Sequence, residues 1–194
     1  MDTARAVTYR FDWIEDEHHL RRRAPDIIAL VNASVDDDGM LGYAARLSSD
    51  EEAALIGTWS AQIAAGTGHV VLITDDDGVC GMTYMRTNAN ANYRHIADLS
   101  KGILAPRARG GGRATRAMFR AVHERGRELG IALFTLDTRA GSRAEAVWKH
   151  FGFTTWGVLD DYSRAFGQSH RGAYMSQTLE SLGTTLARYG ENEA

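Results

Sequence analysis

Three consecutive glycines, Gly110, Gly111 and Gly112, stand among Arg107, Arg109 and Arg113, directly after the apolar run Ile103-Leu104-Ala105-Pro106. Glycine admits backbone conformations closed to other residues and lets a ligand come close to the main chain. Where such a turn opens a helix, the first N–H groups have no intrahelical partner and can converge on phosphate. Arginines beside it would add charge-assisted donors. Residues 103–114 therefore predict a strand, a glycine turn and a helix start that together cradle an anion. Other chemistry-bearing residues read more plainly. His18 and His19 beside Glu15, Asp16 and Glu17 have metal-ligand types, but they crowd a helix start and read as solvent-exposed, so no metal is expected. Arg21-Arg22-Arg23 reads as a solvated helix face, and Asp160-Asp161 as an acidic pair in a polar loop.

The elements that would carry these residues follow from periodicity. Residues 6–13 alternate as a strand, and Asp16 to about Ser34 has a loose helical period in which Pro25 could open the second half. Ser49 and Glu52 suit a capping box for a second helix ending near Ala65. A three-strand meander comes next, over His69–Thr74, Val79–Thr87 and about Arg94–Leu104. After the glycine turn, Ala114, Ala117, Met118, Ala121 and Val122 stripe a helix that Gly130 stops. Ile131–Leu136 then has strand length, Ser142–Phe151 is amphipathic, and strands at about Phe153–Leu159 and Ala173–Leu179 flank a polar loop from Asp160 to Gly172. A short helix or a frayed end closes the chain. The order is β-α-α-β-β-β-α-β-α-β-β, a mixed α/β sheet in one domain over residues 1–194.

Composition narrows the class. A net charge of −3 supplies no overall field for nucleic acid or an anionic membrane, so any basic function must be local. The single cysteine, Cys80, excludes an internal disulfide framework. With no apolar leader after Met1 and no run of about 18 apolar residues, a cytoplasmic setting is expected.

The element order and the run Arg107-Ala108-Arg109-Gly110-Gly111-Gly112 resemble the GNAT acyltransferase superfamily, whose pyrophosphate signature is Arg/Gln-x-x-Gly-x-Gly/Ala. The segment from Asp137 to Phe153 is similar to that family's fifth strand, fourth helix and Gly-Phe exit. Leu136-Asp137-Thr138 and Gly141-Ser142 are most similar to its tabtoxin-resistance acetyltransferase branch. The resemblance spans about residues 6–179. It implies strands four and five that splay apart, with acetyl-CoA as co-substrate between them. Its pyrophosphate would lie on Arg109, Gly110, Gly111, Gly112, Arg113 and Ala114, with Arg107 adding charge, and its pantetheine arm on Gly102, Ile103 and Leu104.

The same resemblance implies a base for the accepting amine. Asp98 falls where many relatives carry a strand-four glutamate, and Asp137 where the tabtoxin-resistance branch keeps an aspartate facing the cleft. Trp148 departs from the family, because most relatives carry a tyrosine there that can protonate the departing thiolate, and indole cannot. Tyr162 is the nearest replacement, with Ser142 and Tyr174 behind it, while Trp148 would pack on the donor side beside Ser142. The implied function is N-acetylation of a small-molecule amine such as an antibiotic, toxin or biosynthetic intermediate. Two alternatives stay open: aminoacyl transfer from charged tRNA, with which the series Arg107, Arg109, Arg113, Arg116 and Arg120 is compatible, and a non-catalytic acyl-CoA sensor, which Trp148 suggests. Homodimerisation through terminal strands is common among relatives.

Overall fold

The computed structural model describes residues 7–38, 41–43, 45–110, 112–165 and 167–191. Strand β1 (Arg10–Trp13) is followed by helices α1 (Glu17–Asp38) and α2 (Ser49–Ala64). Strands β2 (Gly68–Asp75), β3 (Gly78–Thr87) and β4 (Ile96–Leu104) form the meander, and α3 (Arg113–Glu128) leads to β5 (Leu133–Arg139). Helix α4 (Arg143–His150), strands β6 (Thr154–Ala165) and β7 (Gln168–Thr178), and α5 (Leu179–Glu191) complete the chain. The strands form one sheet in the order β1-β2-β3-β4-β5-β7-β6. Among the described residues only the central β4/β5 pair is parallel.

Each face of the sheet carries its own core. Leu20, Ile27, Val31, Leu55 and Trp59 of α1 and α2 pack on Val70, Leu72, Met82 and Tyr84, where Trp59 stacks on Tyr84 at 4.7 Å between ring centroids. On the other face, Phe119 and Val122 of α3 and Leu182 and Leu186 of α5 meet Met85, Leu99, Phe134, Leu136 and Met175. Gly126 sets the approach of α3, since a Cβ there would come within 2.7 Å of Phe134 and 2.8 Å of Leu179. Among the described residues no helix is long and apolar enough to cross a membrane.

Four of the departures from the sequence reading have a clear physical reason. Helix α1 continues through Pro25 and past Ser34 to Asp38. The interior proline costs about 3 kcal/mol, but the buried stripe Leu20, Ile27 and Val31 runs unbroken across it and holds the helix together. The capping box of α2 is Ser48 with Glu51, because the pattern Ser-x-x-Glu occurs twice in a row and the first copy is used. Strand β5 reaches Arg139, which sets Asp137 within the strand and opposite Tyr174. The expected polar loop at 160–172 is instead the outer half of a long β6/β7 hairpin. Its polar residues pair with one another there: Arg171 Nε binds Asp160 at 2.9 Å, and Asp161 takes Arg164 Nε at 3.1 Å.

The Glu51 carboxylate accepts from both the backbone N–H (2.8 Å) and the hydroxyl (2.7 Å) of Ser48. Ser48→Ala should lower stability by about 1 kcal/mol, read as a lower urea midpoint with an unchanged slope.

Candidate active site

Strands β4 and β5 pair only at Ile96↔Leu133, Ala97↔Phe134 and Asp98↔Thr135, and beyond that point they part. Between the diverging arms lies a cavity of about 490 Å³. Leu99 to Leu104 form one wall, Asp137 and Thr138 the other, and Arg143, Ala144, Val147 and Trp148 of α4 close it beside Met118 and Phe119 of α3. Backbone amides of the separated arms have no partner strand across the gap, so an extended ligand carrying amides could pair with them.

A bulge in β4 helps drive the divergence. The β3/β4 register slips between Met82↔Ile103 and Tyr84↔Ser100, so that Lys101 and Gly102 together face Thr83. Trp148 lies close over the bulge; a Cβ on Gly102 would stand 3.3 Å from its ring. The indole also packs edge-on against Phe119 at 5.2 Å and Phe153 at 5.0 Å, so it forms part of both the core and the cavity wall.

At the far end of the cavity the glycine turn enters α3. Gly110 and Gly112 have φ of +85° and +73°, in the left-handed region that glycine tolerates, and α3 begins with no side-chain cap on its N–H groups. Nothing lies within 4 Å of where a Gly110 Cβ would be. The open helix start, the glycines and Arg109 fit a pyrophosphate, and Arg109, Gly110 and Thr115 all line the cavity. Arg109 Nε also holds the Leu104 carbonyl at 2.8 Å, and its guanidinium pairs with Asp37 at the end of α1.

The signature's first arginine does something else. Arg107 turns away from the cavity to pair with Asp75 and to reach the carbonyls of Gly78 (3.3 Å) and Val79 (3.2 Å), which ties the glycine turn to the β2/β3 hairpin. Gly102, Ile103, Leu104 and Trp148 are on the cavity wall as expected from the sequence, whereas Gly112, Arg113 and Ala114 are not among the lining residues. Ser142 is engaged as the N-cap of α4, accepting from the Glu145 N–H at 3.1 Å. Gly111 lies outside the described residues.

Of the proposed proton-moving groups, the structure brings two together. The Tyr162 hydroxyl donates a hydrogen bond to Asp137, and both side chains line the cavity. Two features aim Tyr162 inward. Between Leu159↔Gly172 and Ser163↔His170 strand β6 carries a bulge that contains Tyr162. Gly172 lies beneath the tyrosine ring, in the space that any side chain would fill. Burial first, and then the bond to Asp137, push the Tyr162 phenol up, so it stays protonated at neutral pH. Tyr174, the remaining hydroxyl candidate, stands edge-on to Tyr162 at 6.3 Å.

Asp98 is set apart. It sits where the strands part, takes Thr135 Oγ1 at 3.3 Å and stands 3.9 Å from Arg86. It lines a separate hollow of about 190 Å³ with Arg86, Asn88 and Tyr93. Burial pushes its carboxyl up; Arg86 pulls it down and the charge of Asp137 raises it further. The Asp160-Asp161 pair is neutralised within its own hairpin, and His19 at the start of α1 bonds Asp12 at 3.1 Å. Lys101 was not singled out from the sequence, where it reads as an ordinary strand lysine, yet it lines the cavity.

No family model matches the sequence. Solved structures do. A GNAT superfamily phosphinothricin acetyltransferase from Sinorhizobium meliloti, in complex with AcCoA, superimposes with a TM-score of 0.67 at 21% identity, over 89% of this chain and 88% of that one. The chain has the GNAT fold. A ribosomal-protein-alanine N-acetyltransferase from Brucella melitensis matches with a TM-score of 0.67 at 20% identity, over 88% of this chain and 99% of that one. An N-acetyltransferase from Staphylococcus aureus matches with a TM-score of 0.70 at 15% identity, over 90% and 99%. In the GNAT fold of this chain, the diverging parallel strands and the glycine turn occupy the two ends of one cavity.

The Arg107–Asp75 pair leads to a pH prediction. The hydrogen bond from Arg107 is the chief cause holding the Asp75 carboxyl below the usual carboxylate range. A carboxylate whose folded value lies below its unfolded one stabilises the protein above about pH 4 and loses that contribution as pH falls through the folded value. Arg107→Met should therefore lower the thermal midpoint most at neutral pH, and the gap to the parent protein should narrow in acid.

Proposed function

We propose that this chain is an N-acetyltransferase that moves the acetyl group of acetyl-CoA to the primary amine of a small molecule. The observation that carries the reading is the Asp137–Tyr162 hydrogen bond inside the cavity whose opposite end is the uncapped start of α3. The AcCoA complex of the Sinorhizobium meliloti protein supports the choice of donor. The residues present fit it: a helix start free for pyrophosphate, unpaired β4 backbone for the pantetheine amides, and Trp148 as an apolar flank.

The donor supplies a thioester, which is already activated toward amines. The acceptor arrives largely as an ammonium ion, because alkylamines have pKa values near 10. Asp137 takes one proton, and the freed nitrogen forms its bond to the acetyl carbon. The carbon–sulfur bond breaks as the nitrogen's surplus proton passes to water. Tyr162 protonates the departing thiolate and is itself reprotonated by Asp137 along the hydrogen bond they share. Proton loss from the phenol is thus coupled to proton gain, so no isolated phenolate forms. One proton is released to solvent per turnover, and both side chains return to their starting state. Tyr162 stands in for the tyrosine that Trp148 replaces.

Release of coenzyme A thiol from acetyl-CoA, measured across a panel of small amines, tests the reading. Asp137→Asn should cut kcat by roughly 10²-fold or more, the usual cost of losing a positioned base. Tyr162→Phe should lower kcat with KM for acetyl-CoA little changed, and Asp98→Asn should do less than Asp137→Asn. Binding of acetyl-CoA with no thiol release from any amine would assign a sensor role instead.

The raised phenol adds a pH prediction. Tyr162 holds its proton between about pH 6 and 9, so the limbs of the kcat profile over that range should keep their positions in Tyr162→Phe while the plateau falls.

A further inference from the structure

Lys101 is the one non-glycine among the described residues with a left-handed backbone, at φ +51°. Such a conformation is disfavoured for a side-chain-bearing residue and persists where surrounding structure imposes it, most often at functional sites. Here the β4 bulge imposes it, and the result is a lysine on the cavity wall. Its Nζ donates to the Leu41 carbonyl at 2.6 Å and lies 5.0 Å from the centre of the Tyr43 ring.

An ammonium has three donors, and the Leu41 carbonyl satisfies one. Among the side chains the structure describes, no carboxylate forms an ion pair with Nζ. Burial pulls the amine down, and the one charge that opposes this is Asp137. Of the two other cations on the cavity wall, Arg109 is taken up by Asp37 and the Leu104 carbonyl, and Arg143 stands at the start of α4, away from the β4 bulge. The fork thus presents a carboxylate on one arm and a half-buried, under-partnered ammonium on the other. A ligand with a lone amine would satisfy only the first.

We infer that the acceptor is a primary amine that also bears a carboxylate, with the amine at Asp137 and the carboxylate held by Lys101, whose ammonium the Tyr43 ring backs from the other side. This rests on the transferase reading above and narrows its substrate class. Removing a carboxylate from the ligand leaves the lysine desolvated without its partner, which is how a site built for a polar group discriminates against an analogue lacking it.

The test compares kcat/KM for glycine, β-alanine, γ-aminobutyrate and the common L-α-amino acids with that for their primary amides, in the parent protein, Lys101→Met and Lys101→Arg. Thermal unfolding of each variant checks that it is folded. The parent should prefer at least one carboxylate over its amide by roughly tenfold or more. Lys101→Met should bring that ratio near unity, and Lys101→Arg should keep part of it. Amides used as well as carboxylates, or a preference that survives Lys101→Met, would overturn the inference and leave the transferase reading standing. Failure of every amine, with and without a carboxylate, to release coenzyme A would overturn both.

Discussion

Three residue pairs hold β4 to β5, and then the pairing stops. A parallel sheet normally continues its ladder, because each backbone N–H and C=O removed from water needs a partner. In this chain the ladder is given up at the centre of the sheet, and the fold is arranged to make that tolerable. The bulge at Lys101 and Gly102 bends β4 away, while the outer faces of both strands stay paired to β3 and β7. Helices α3 and α4 then line the gap with Met118, Phe119, Val147 and Trp148. The cavity is therefore a product of strand geometry, and the side chains on its walls are placed by the same divergence.

Charge is distributed around the fork with a division of labour. Some ionic groups hold the frame: Arg107 with Asp75 fixes the glycine turn to the β2/β3 hairpin, and Asp160 and Asp161 with Arg171 and Arg164 brace the β6/β7 hairpin. These residues are satisfied internally and have little to offer a ligand. The groups left facing the cavity include Lys101, Asp137, Tyr162 and Arg143 together with Arg109, whose partner Asp37 comes from α1. A pyrophosphate at the helix start would compete with Asp37 for the same guanidinium, so the donor end of the cavity is electrostatically linked to the end of α1.

Much of the architecture was legible in the sequence because it is local. The glycine turn, the apolar stripe of α3 and the strand-length runs announce themselves within a few residues, and their order together with the glycine signature and the Asp137–Phe153 segment pointed to the fold. What was hidden depends on partners far along the chain. Arg107 belongs to the signature by position, yet Asp75, thirty-two residues earlier, claims its side chain. The 160–172 segment reads as loop because its residues are polar, and only across the hairpin do those charges cancel. Lys101 looks like any exposed strand lysine until the slip in the β3/β4 register turns it into the fork. Asp137 and Tyr162 were each visible, but their contact needs the β6 bulge, which leaves no mark on hydrophobic patterning.

Gly172 shows how far such dependence reaches. It has no side chain, lies buried in β7 and has no part in proton transfer, but the Tyr162 ring occupies the space above it. The identity of a residue that never meets substrate thus decides whether a phenol can reach a carboxylate. If Asp137 and Tyr162 act as proposed, a random-mutagenesis search for inactive yet folded variants would recover this position beside Asp137, and a map of the site drawn from such a search would include a residue whose contribution is the absence of atoms.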